Sequence, residues 1–170
     1  MILTEEKQYY AVNCANAVWA TDEQHYVYQK NTSSFLKDTD WFIETETCIM
    51  MVEYKNGTVY KSKEPFNPLE NHYIDCIARK YYDSLHYLTL LEKNKPKKYI
   101  YIVEYPNDDS VSRKLLRNRI AQKLPFRLQE KLSTKIKLID SFDVVSINEW
   151  NEKYPDFPII RTEKPFKEVT

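Results

Sequence analysis

Apolar residues in the first two thirds of the chain fall into short runs that are typical of β-strands. These runs cover residues 25–29, 41–45, 49–55 and 99–103. The last of them is apolar almost throughout, which is typical of a strand buried on both faces of a sheet. Asn56 and Gly57 form a dipeptide favoured in type I′ turns, so they predict a hairpin into a further short strand at residues 58–61.

Two longer segments have the spacing of helices. Residues 5–20, with Thr4 as the cap, place four side chains near one stripe: Tyr9, Val12, Asn16 and Ala20. A second helix is predicted to begin with Asn67 as its N-cap and Pro68 at its first position, and to end before Pro96. Its apolar residues recur every three or four positions, at Leu69, Tyr73, Ile77, Tyr81, Leu85 and Leu88.

The last third of the chain opens on a strongly basic segment. Residues 113–137 contain nine basic side chains against Glu130 alone, a net charge of +8, although the whole chain has a net charge of zero. Pro125 is expected to divide this segment into two short helices. A strand is predicted at residues 137–147, and residues 150–166 form a Pro- and aromatic-containing tail that we expect to pack over the core.

Length and composition exclude several classes of protein. At 170 residues the chain can bury a substantial core as a single domain, and it has no apolar run long enough to span a membrane. The N-terminus does not resemble a signal peptide, so a cytoplasmic location is expected. The three cysteines form no C-x-x-C pair, and a single glycine, Gly57, excludes Gly-rich phosphate loops and dinucleotide fingerprints.

The candidate chemistry lies in Asp40 and in the run Glu53-Tyr54-Lys55. If residues 40–46 and 47–53 pair as an antiparallel hairpin centred between positions 46 and 47, Asp40 lies directly across from Glu53. Directly opposed residues have Cβ atoms roughly 4.5–5.5 Å apart. Two carboxylates at this distance repel unless a cation lies between them, and Mg²⁺ prefers such oxygen ligands. Lys55 shares the face of Glu53, whereas Tyr54 points to the other face.

These residues resemble the signature of the PD-(D/E)XK, or restriction-endonuclease-like, nuclease superfamily: an Asp on one strand and Glu-x-Lys on the next. The resemblance covers about the first two thirds of the chain and is nearest to the nuclease-related domain branch. Two positions depart from the usual pattern. Thr39 stands where a proline usually precedes the Asp, and Glu70 or Asn71 stands nearest to a Gln often found at the start of the following helix.

The resemblance implies a fold and a reaction. The fold is an α/β restriction-endonuclease-like core of order α-β-β-β-α-β at about residues 1–106, in which helices flank a mixed central sheet. A C-terminal extension of helices and a strand follows at about 107–170, in one nuclease-like domain. The activity is metal-dependent hydrolysis of phosphodiester bonds with Mg²⁺ or Mn²⁺ as the cofactor. Asp40 and Glu53 are the implied metal ligands, and Lys55 orients the water or stabilises the developing charge.

Further carboxylates and the basic segment complete the implied site. Glu5 or Glu6 on the first helix supplies another carboxylate in this interpretation, and Asp38 is the rival of Asp40. A basic segment beside an acidic site suits a phosphodiesterase of nucleic acid, with DNA favoured over RNA as the partner. The residues assigned to the phosphate backbone are Arg113, Lys114, Arg117, Arg119, Lys123 and Arg127.

Other interpretations of the same residues stay open. An acidic cluster on a strand and a basic helix face are also typical of solvated surfaces. The chain is therefore a metal-dependent nuclease, an inactive nuclease-fold module that binds nucleic acid or protein, or a subunit of a larger restriction, repair or mobile-element complex. A homodimer or a larger complex is open in each case, and no membrane partner is expected.

Overall fold

The chain forms two β-sheets with helices packed around the larger one. The computed structural model describes residues 1–5, 9–58, 65–133 and 135–162. In chain order its elements are β1 (Ile2–Thr4), β2 (Tyr10–Asn13), β3 (Trp19–Thr21), α1 (Gln24–Thr32), β4 (Trp41–Glu44), β5 (Ile49–Asn56), α2 (Asn71–Leu90), β6 (Lys97–Glu104), α3 (Ser110–Ala121), α4 (Phe126–Leu132), β7 (Ser141–Val145), α5 (Ile147–Lys153) and β8 (Ile159–Arg161). The sheets have the strand orders β1-β2-β8 and β3-β4-β5-β6-β7.

The five-stranded sheet is mixed, as expected. Strands β3, β4 and β5 are antiparallel neighbours, whereas β5, β6 and β7 run parallel. A parallel pair needs a long crossover connection, and α2 lies in the connection between β5 and β6. The buried strand predicted at residues 99–103 is confirmed and is longer, at Lys97–Glu104, because β5 and β7 both pair with it.

Each face of the five-stranded sheet is buried against a separate apolar core. Helices α2 and α3 cover one face, in a core that includes Phe42, Met51, Ile77, Tyr81, Tyr99 and Leu116. The three-stranded sheet and α5 cover the other face, in a core that includes Val12, Trp41, Val52, Ile102, Trp150 and Ile159. Successive strand residues alternate between faces, so β4 and β5 contribute to both cores.

The helix predicted at residues 5–20 is wrong. Residues 9–20 contain β2 and the start of β3, and Glu5 directly follows β1. Strand β2 lies between β1 and β8, with Val12 opposite Ile159 from the far end of the chain. This pairing buries Val12 completely. Long-range pairing therefore overrides the local spacing of apolar residues, as tertiary context often does.

The strand predicted at residues 25–29 is also wrong, because this segment belongs to α1. Gln24 and Tyr28 are buried one helical turn apart, whereas Tyr26 is 69% exposed. The helix ends at Ser33, which has a left-handed conformation (φ 51°). The predicted order of helix, three strands, helix and strand is thus changed, since the first helix lies between β3 and β4.

The type I′ turn predicted at Asn56 and Gly57 is wrong. Such a turn needs positive φ at both central residues, and Gly57 does not have it. Instead, the Asn56 side chain accepts hydrogen bonds from the backbone N–H and the hydroxyl of Thr58, at 2.8 and 2.6 Å. Glycine is needed here for close approach, because a Cβ at Gly57 would lie 2.3 Å from the Phe66 ring. The strand predicted at 58–61 lies, apart from Thr58, outside the described residues.

Helix α2 begins three residues later than predicted. The Asn67 side chain accepts from the backbone N–H of Leu69 at 3.1 Å and so stabilises a turn before the helix, while Glu70 is the N-cap residue. The predicted end before Pro96 is confirmed, since the last helical residue is Leu90. Ile77, Tyr81 and Leu88 of the predicted apolar stripe are buried.

The C-terminal third follows the predicted order with shorter elements. Pro125 separates α3 from α4, which confirms the predicted break. The strand predicted at 137–147 is confined to Ser141–Val145, because Ser146 and Glu149 form a capping box that starts α5. The tail packs over the core as expected: Trp150 is fully buried and donates from its indole to the carbonyl of Phe157 at 2.7 Å. Residues 163–170 lie outside the described residues.

None of the described helices is both long enough and apolar enough to cross a lipid bilayer.

Candidate functional site

The β4–β5 hairpin has the register that places Asp40 beside Glu53. Trp41 pairs with Val52 and Glu44 with Ile49, so the hairpin is centred between positions 46 and 47, as predicted. Asp40 lies one residue before β4, and its Oδ2 accepts a hydrogen bond from the backbone N–H of Tyr54 at 2.7 Å. This bond fixes the carboxylate at the end of the ladder, next to Glu53.

Glu53 is the most unusual side chain of this region. It is only 5% exposed, and its Oε1 accepts from the Lys80 ammonium at 2.7 Å. Its Oε2 is buried and has no hydrogen-bond partner among the described residues. A buried carboxylate oxygen without a partner loses its hydration with no compensation, so a further donor or a cation at this oxygen would offset that cost.

The pKa values of Asp40 and Glu53 show that their negative charges are only partly compensated. Burial raises the pKa of Glu53 to about 8, the Lys80 ammonium opposes this shift, and the neighbouring Asp40 adds to it. Burial also raises the pKa of Asp40. Burial by itself lowers the pKa of Lys80, but the carboxylates of Glu53 and Asp40 raise it overall. The two acids therefore compete for a single lysine.

Lys55 and Tyr54 lie on opposite faces of β5, as predicted. Tyr54 stacks on Trp41 in the core beneath the three-stranded sheet, with ring centroids 5.9 Å apart. Lys55 is exposed, and its Nζ lies 5.8 Å from the centre of the Phe66 ring. The lysine of Glu-x-Lys thus projects into solvent, whereas Lys80 contacts Glu53.

A pocket of about 270 Å³ opens beside Asp40, and Glu53 is not among its lining residues. Its lining includes Asp40 and Lys80, together with Glu5, Asp38 and His25. Glu5 is 8% exposed and accepts from the backbone N–H of Tyr9 at 2.5 Å. Asp38 is 2.9 Å from the His25 ring nitrogen. Two predicted carboxylates therefore reach the site, Glu5 from the end of β1 rather than from a helix, while Glu6 lies outside the described residues.

Asp40 and Glu53 are the two carboxylates that could hold a magnesium-type ion of low protein coordination. In the described part of the chain, no group of three or more His, Cys, Asp or Glu side chains is arranged to hold a metal ion. Mg²⁺ usually takes one or two carboxylates and completes its shell with water and substrate phosphates. Asp40 and the unpartnered Oε2 of Glu53 match that requirement. An all-protein metal cage is not present among these residues.

A proline at position 39, as the nuclease signature usually has, would lose a hydrogen bond that Thr39 makes. Its backbone N–H donates to Oε1 of Gln24 at 3.0 Å, and proline has no N–H to donate. The Ser84 hydroxyl of α2 donates to the same oxygen at 3.0 Å. Gln24 therefore ties α1, α2 and the residue before Asp40 together, which positions the carboxylate.

The two helix-start candidates lie at the N-terminus of α2, away from Asp40 and Glu53 in sequence and in their contacts. Glu70 is the N-cap residue and lies 3.5 Å from the His72 ring. Asn71 accepts from Arg119 of α3 at 2.7 Å. Both contacts stabilise the start of α2 and its junction with α3.

The basic residues predicted to contact nucleic acid divide into two groups. Four of them have partners within the chain: Arg113 with Asp108 and Glu149, Arg117 with the carbonyl of Phe142, Arg119 with Leu69 and Asn71, and Lys123 with Asp75. Arg113 is the most engaged, with a side chain only 11% exposed. Lys114 and Arg127 are exposed on α3 and α4. These two are the best placed to meet an external phosphate.

Comparison with known proteins does not identify the chain. Comparisons with protein-family models, with curated proteins and with solved structures each return no match to the chain. Function is therefore inferred from the geometry and chemistry of the site.

Lys80 is the site residue that sequence reasoning missed. Its signal is weak but present, because Cys76, Lys80 and Ser84 recur every four residues beside the buried stripe of α2. A lysine bordering an apolar helix face commonly extends to solvent. Only the packing of α2 on β5 shows that this one turns inward to Glu53.

Proposed function

We propose that the chain is a metal-dependent nuclease that hydrolyses phosphodiester bonds of nucleic acid, with DNA as the favoured substrate. The observation that carries the proposal is the buried Glu53 carboxylate beside Asp40, with one oxygen bound by Lys80 and the other without a partner. Such an arrangement is costly for folding alone. It is reasonable where a divalent ion and a phosphate complete the site during function.

The side chains have separate roles in this proposal. Asp40 and Glu53 would hold Mg²⁺ or Mn²⁺, which when bound supplies an activated water and neutralises the phosphate charge. The hydrogen bond from Tyr54 keeps Asp40 in place before the ion and substrate arrive. An amine beside the phosphate stabilises the charge that develops in the transition state. The Glu-x-Lys run suggests Lys55 for that amine, whereas the lysine that contacts Glu53 is Lys80 from α2.

The basic surface would hold the substrate outside the pocket. Lys114 and Arg127 are exposed, so they can contact backbone phosphates without giving up an internal partner. Phosphate contacts of this kind provide affinity and orientation but no sequence selectivity. The restriction-endonuclease-like core belongs to the same proposal. A subunit of a larger restriction, repair or mobile-element complex is an alternative to it, and a homodimer stays open.

A binding module without catalysis is the second candidate. The observation that favours it is the ion pair itself, since Lys80 already supplies Glu53 with a counter-ion. In that case the acidic pair stabilises a surface that binds nucleic acid or protein, and no bond is cleaved.

Cleavage assays separate the two candidates. Purified protein is incubated with plasmid DNA, single-stranded DNA and RNA in Mg²⁺, Mn²⁺ or chelator. We expect cleavage only with a divalent ion, and a loss of at least about a hundredfold in Asp40→Asn and Glu53→Gln, because several kcal/mol of transition-state stabilisation disappear. Glu44→Gln is the matched control, since Glu44 is a buried, lysine-paired glutamate at the other end of the hairpin. Full activity in chelator refutes the metal dependence, and full activity in Glu53→Gln refutes the role of Glu53. Binding without cleavage supports the module.

A further inference from the structure

Lys80, rather than the Lys55 expected from the sequence, is the lysine in contact with Glu53. Its Nζ is 2.7 Å from Oε1 of Glu53, and its side chain remains 21% exposed. It also lines the pocket together with Asp40. The ammonium is thus bound to Glu53, and the Lys80 side chain lies in the wall of a pocket that Asp40 also lines.

Lys55 has none of these contacts. It is exposed near the end of β5, where its Nζ lies over the Phe66 ring at 5.8 Å. An exposed contact between an ammonium and an aromatic ring is weak. No ion pair of Lys55 with a carboxylate occurs among the residues that the structure describes.

We propose that Lys80, and not Lys55, is the lysine that acts with Asp40 and Glu53. Resting on the proposed nuclease function, the inference gives Lys80 two states. It is the counter-ion of the acidic pair in the metal-free protein, and it is the amine that contacts a non-bridging oxygen of the substrate phosphate in the complex. An ammonium has three donors, so it can keep its bond to Glu53 while it donates to phosphate.

Lys80 remains protonated throughout the reaction. The oxygen of one water forms a bond to phosphorus while the bond from phosphorus to the leaving sugar oxygen breaks. One proton of that water passes to solvent, and the leaving oxygen takes a proton from solvent. The ammonium neutralises charge on the phosphate and transfers no proton.

Metal binding tests the first state without any need for cleavage. Mn²⁺ binding is measured by electron paramagnetic resonance in the native chain, Lys80→Met and the matched control Lys55→Met. Two cations in one pocket repel, so Lys80→Met should bind Mn²⁺ at least about tenfold more tightly, and Lys55→Met should bind as the native chain does. Unchanged affinity in Lys80→Met, or a shift in Lys55→Met alone, overturns the inference.

Cleavage kinetics test the second state. We expect kcat to fall about a hundredfold in Lys80→Ala with little change in KM, and to stay within about threefold in Lys55→Ala. Propylammonium should restore part of the rate of Lys80→Ala, whereas tetramethylammonium, which has no N–H donor, should not. A rate that depends on Lys55 and not on Lys80 overturns the inference while the nuclease function stands.

A second variant and the behaviour of the native chain cover the cases in which a variant does not fold or no cleavage is seen. Lys80→Gln, which can still donate to Glu53, replaces the Met variant if thermal melts show that the latter does not fold. If the native chain binds Mn²⁺ but cleaves nothing, the nuclease function and the phosphate contact fail together. The metal titration then decides the counter-ion role of Lys80 by itself.

Discussion

The two ends of the β4–β5 hairpin place similar glutamates in opposite electrostatic situations. Glu44 at the end of β4 and Glu53 on β5 are both buried, at 6% and 5% exposure. Both also receive lysines from outside the hairpin, Glu44 from the loop after α2 and Glu53 from α2 itself. The difference between them lies in the number of cations and of neighbouring acids.

Glu44 has a complete set of partners. Lys93 donates to its Oε2 at 2.6 Å, and Lys95 lies 2.9 Å from its Oε1. The hydrogen bond from Lys93 is the largest cause that lowers the pKa of Glu44, and burial opposes it. With two cations for one carboxylate, this end of the hairpin is a structural ion-pair cluster.

Glu53 has the inverse balance. Lys80 serves Glu53 and Asp40 together, one Glu53 oxygen has no hydrogen-bond partner among the described residues, and the pKa of Glu53 is raised to about 8. Such an arrangement is costly for folding alone, and a bound cation would offset the cost. Burial alone therefore does not distinguish a structural charged residue from a functional one. The completeness of its hydrogen-bond and ion-pair partners does.

The largest effect expected from this contrast is stabilisation by divalent ions. At a concentration one hundred times the dissociation constant, Mg²⁺ or Mn²⁺ should raise the free energy of unfolding by about 2.7 kcal/mol. Thermal melts of the native chain should show this shift. The shift should disappear in Asp40→Asn and in Glu53→Gln, and should persist in Glu44→Gln.

Two further thermal melts control this prediction: the native chain with nucleic acid added, and Glu53→Gln. If the native melting temperature ignores both ions, nucleic acid is added, since its phosphates can complete the coordination shell. A shift that is still absent, or one that is equal in Glu53→Gln, contradicts a metal site at this end of the hairpin.

The second prediction compares the two glutamates in chelator by urea unfolding. Glu44→Gln should lose about 2 kcal/mol, because two partly buried lysines lose their carboxylate. Glu53→Gln should lose little or become more stable, because one of two repelling acids is removed. Asp40→Asn should behave as Glu53→Gln does. Equal losses at Glu44 and Glu53 would mean that both ends of the hairpin are structural.

The hairpin shows what could be predicted from the sequence. Its register follows from the apolar runs at residues 41–45 and 49–55, because a slip of one residue would move every buried side chain to the wrong face. The strand Lys97–Glu104 and the break at Pro125 are equally local features. The opposition of Asp40 and Glu53 could therefore be inferred without a structure.

The N-terminal region and Lys80 show what could not be predicted. Residues 10–13 form a strand between β1 and β8, and the β8 partner comes from the far end of the chain, which no local pattern indicates. Residues 24–32 have almost no amphipathic pattern, so Gln24 and Tyr28 give little sign of a helix. Lys80 turns inward only because α2 packs across β5, which depends on the tertiary arrangement.

The third prediction concerns the pH dependence of stability in chelator. The folded pKa of Glu44 is lowered, so its contribution is present above the ordinary Glu pKa of 4.5 and is lost as the pH falls through the folded value. The folded pKa of Glu53 is raised, so its contribution is full below 4.5 and is lost as the pH rises to about 8. Each substitution should change the slope by at most about 1.4 kcal/mol per pH unit.

Urea titrations at a series of pH values test these signs. Glu44→Gln should flatten the loss of stability below about pH 4.5, and Glu53→Gln should flatten the loss between that value and about pH 8. A Glu53→Gln profile that differs from the native one only on the acid side would show a normal, well-paired carboxylate. The contrast between the two ends would then be wrong.

The smallest expected effect extends the same contrast to the basic segment. Arg113, like Glu44, has its charge paired inside the protein, by Asp108 and Glu149. Lys114 and Arg127 are exposed. Replacing Lys114 and Arg127 by Ala should lower the slope of log affinity against log salt by about 0.9 for each lost contact with duplex DNA, measured by fluorescence anisotropy in chelator. Arg113→Ala should reduce stability and leave this slope unchanged, since its guanidinium is bound inside the protein. An unchanged slope in the Lys114 and Arg127 variant would make α3 and α4 a plain surface, and a reduced slope in Arg113→Ala would show that DNA competes for a side chain that the fold already holds.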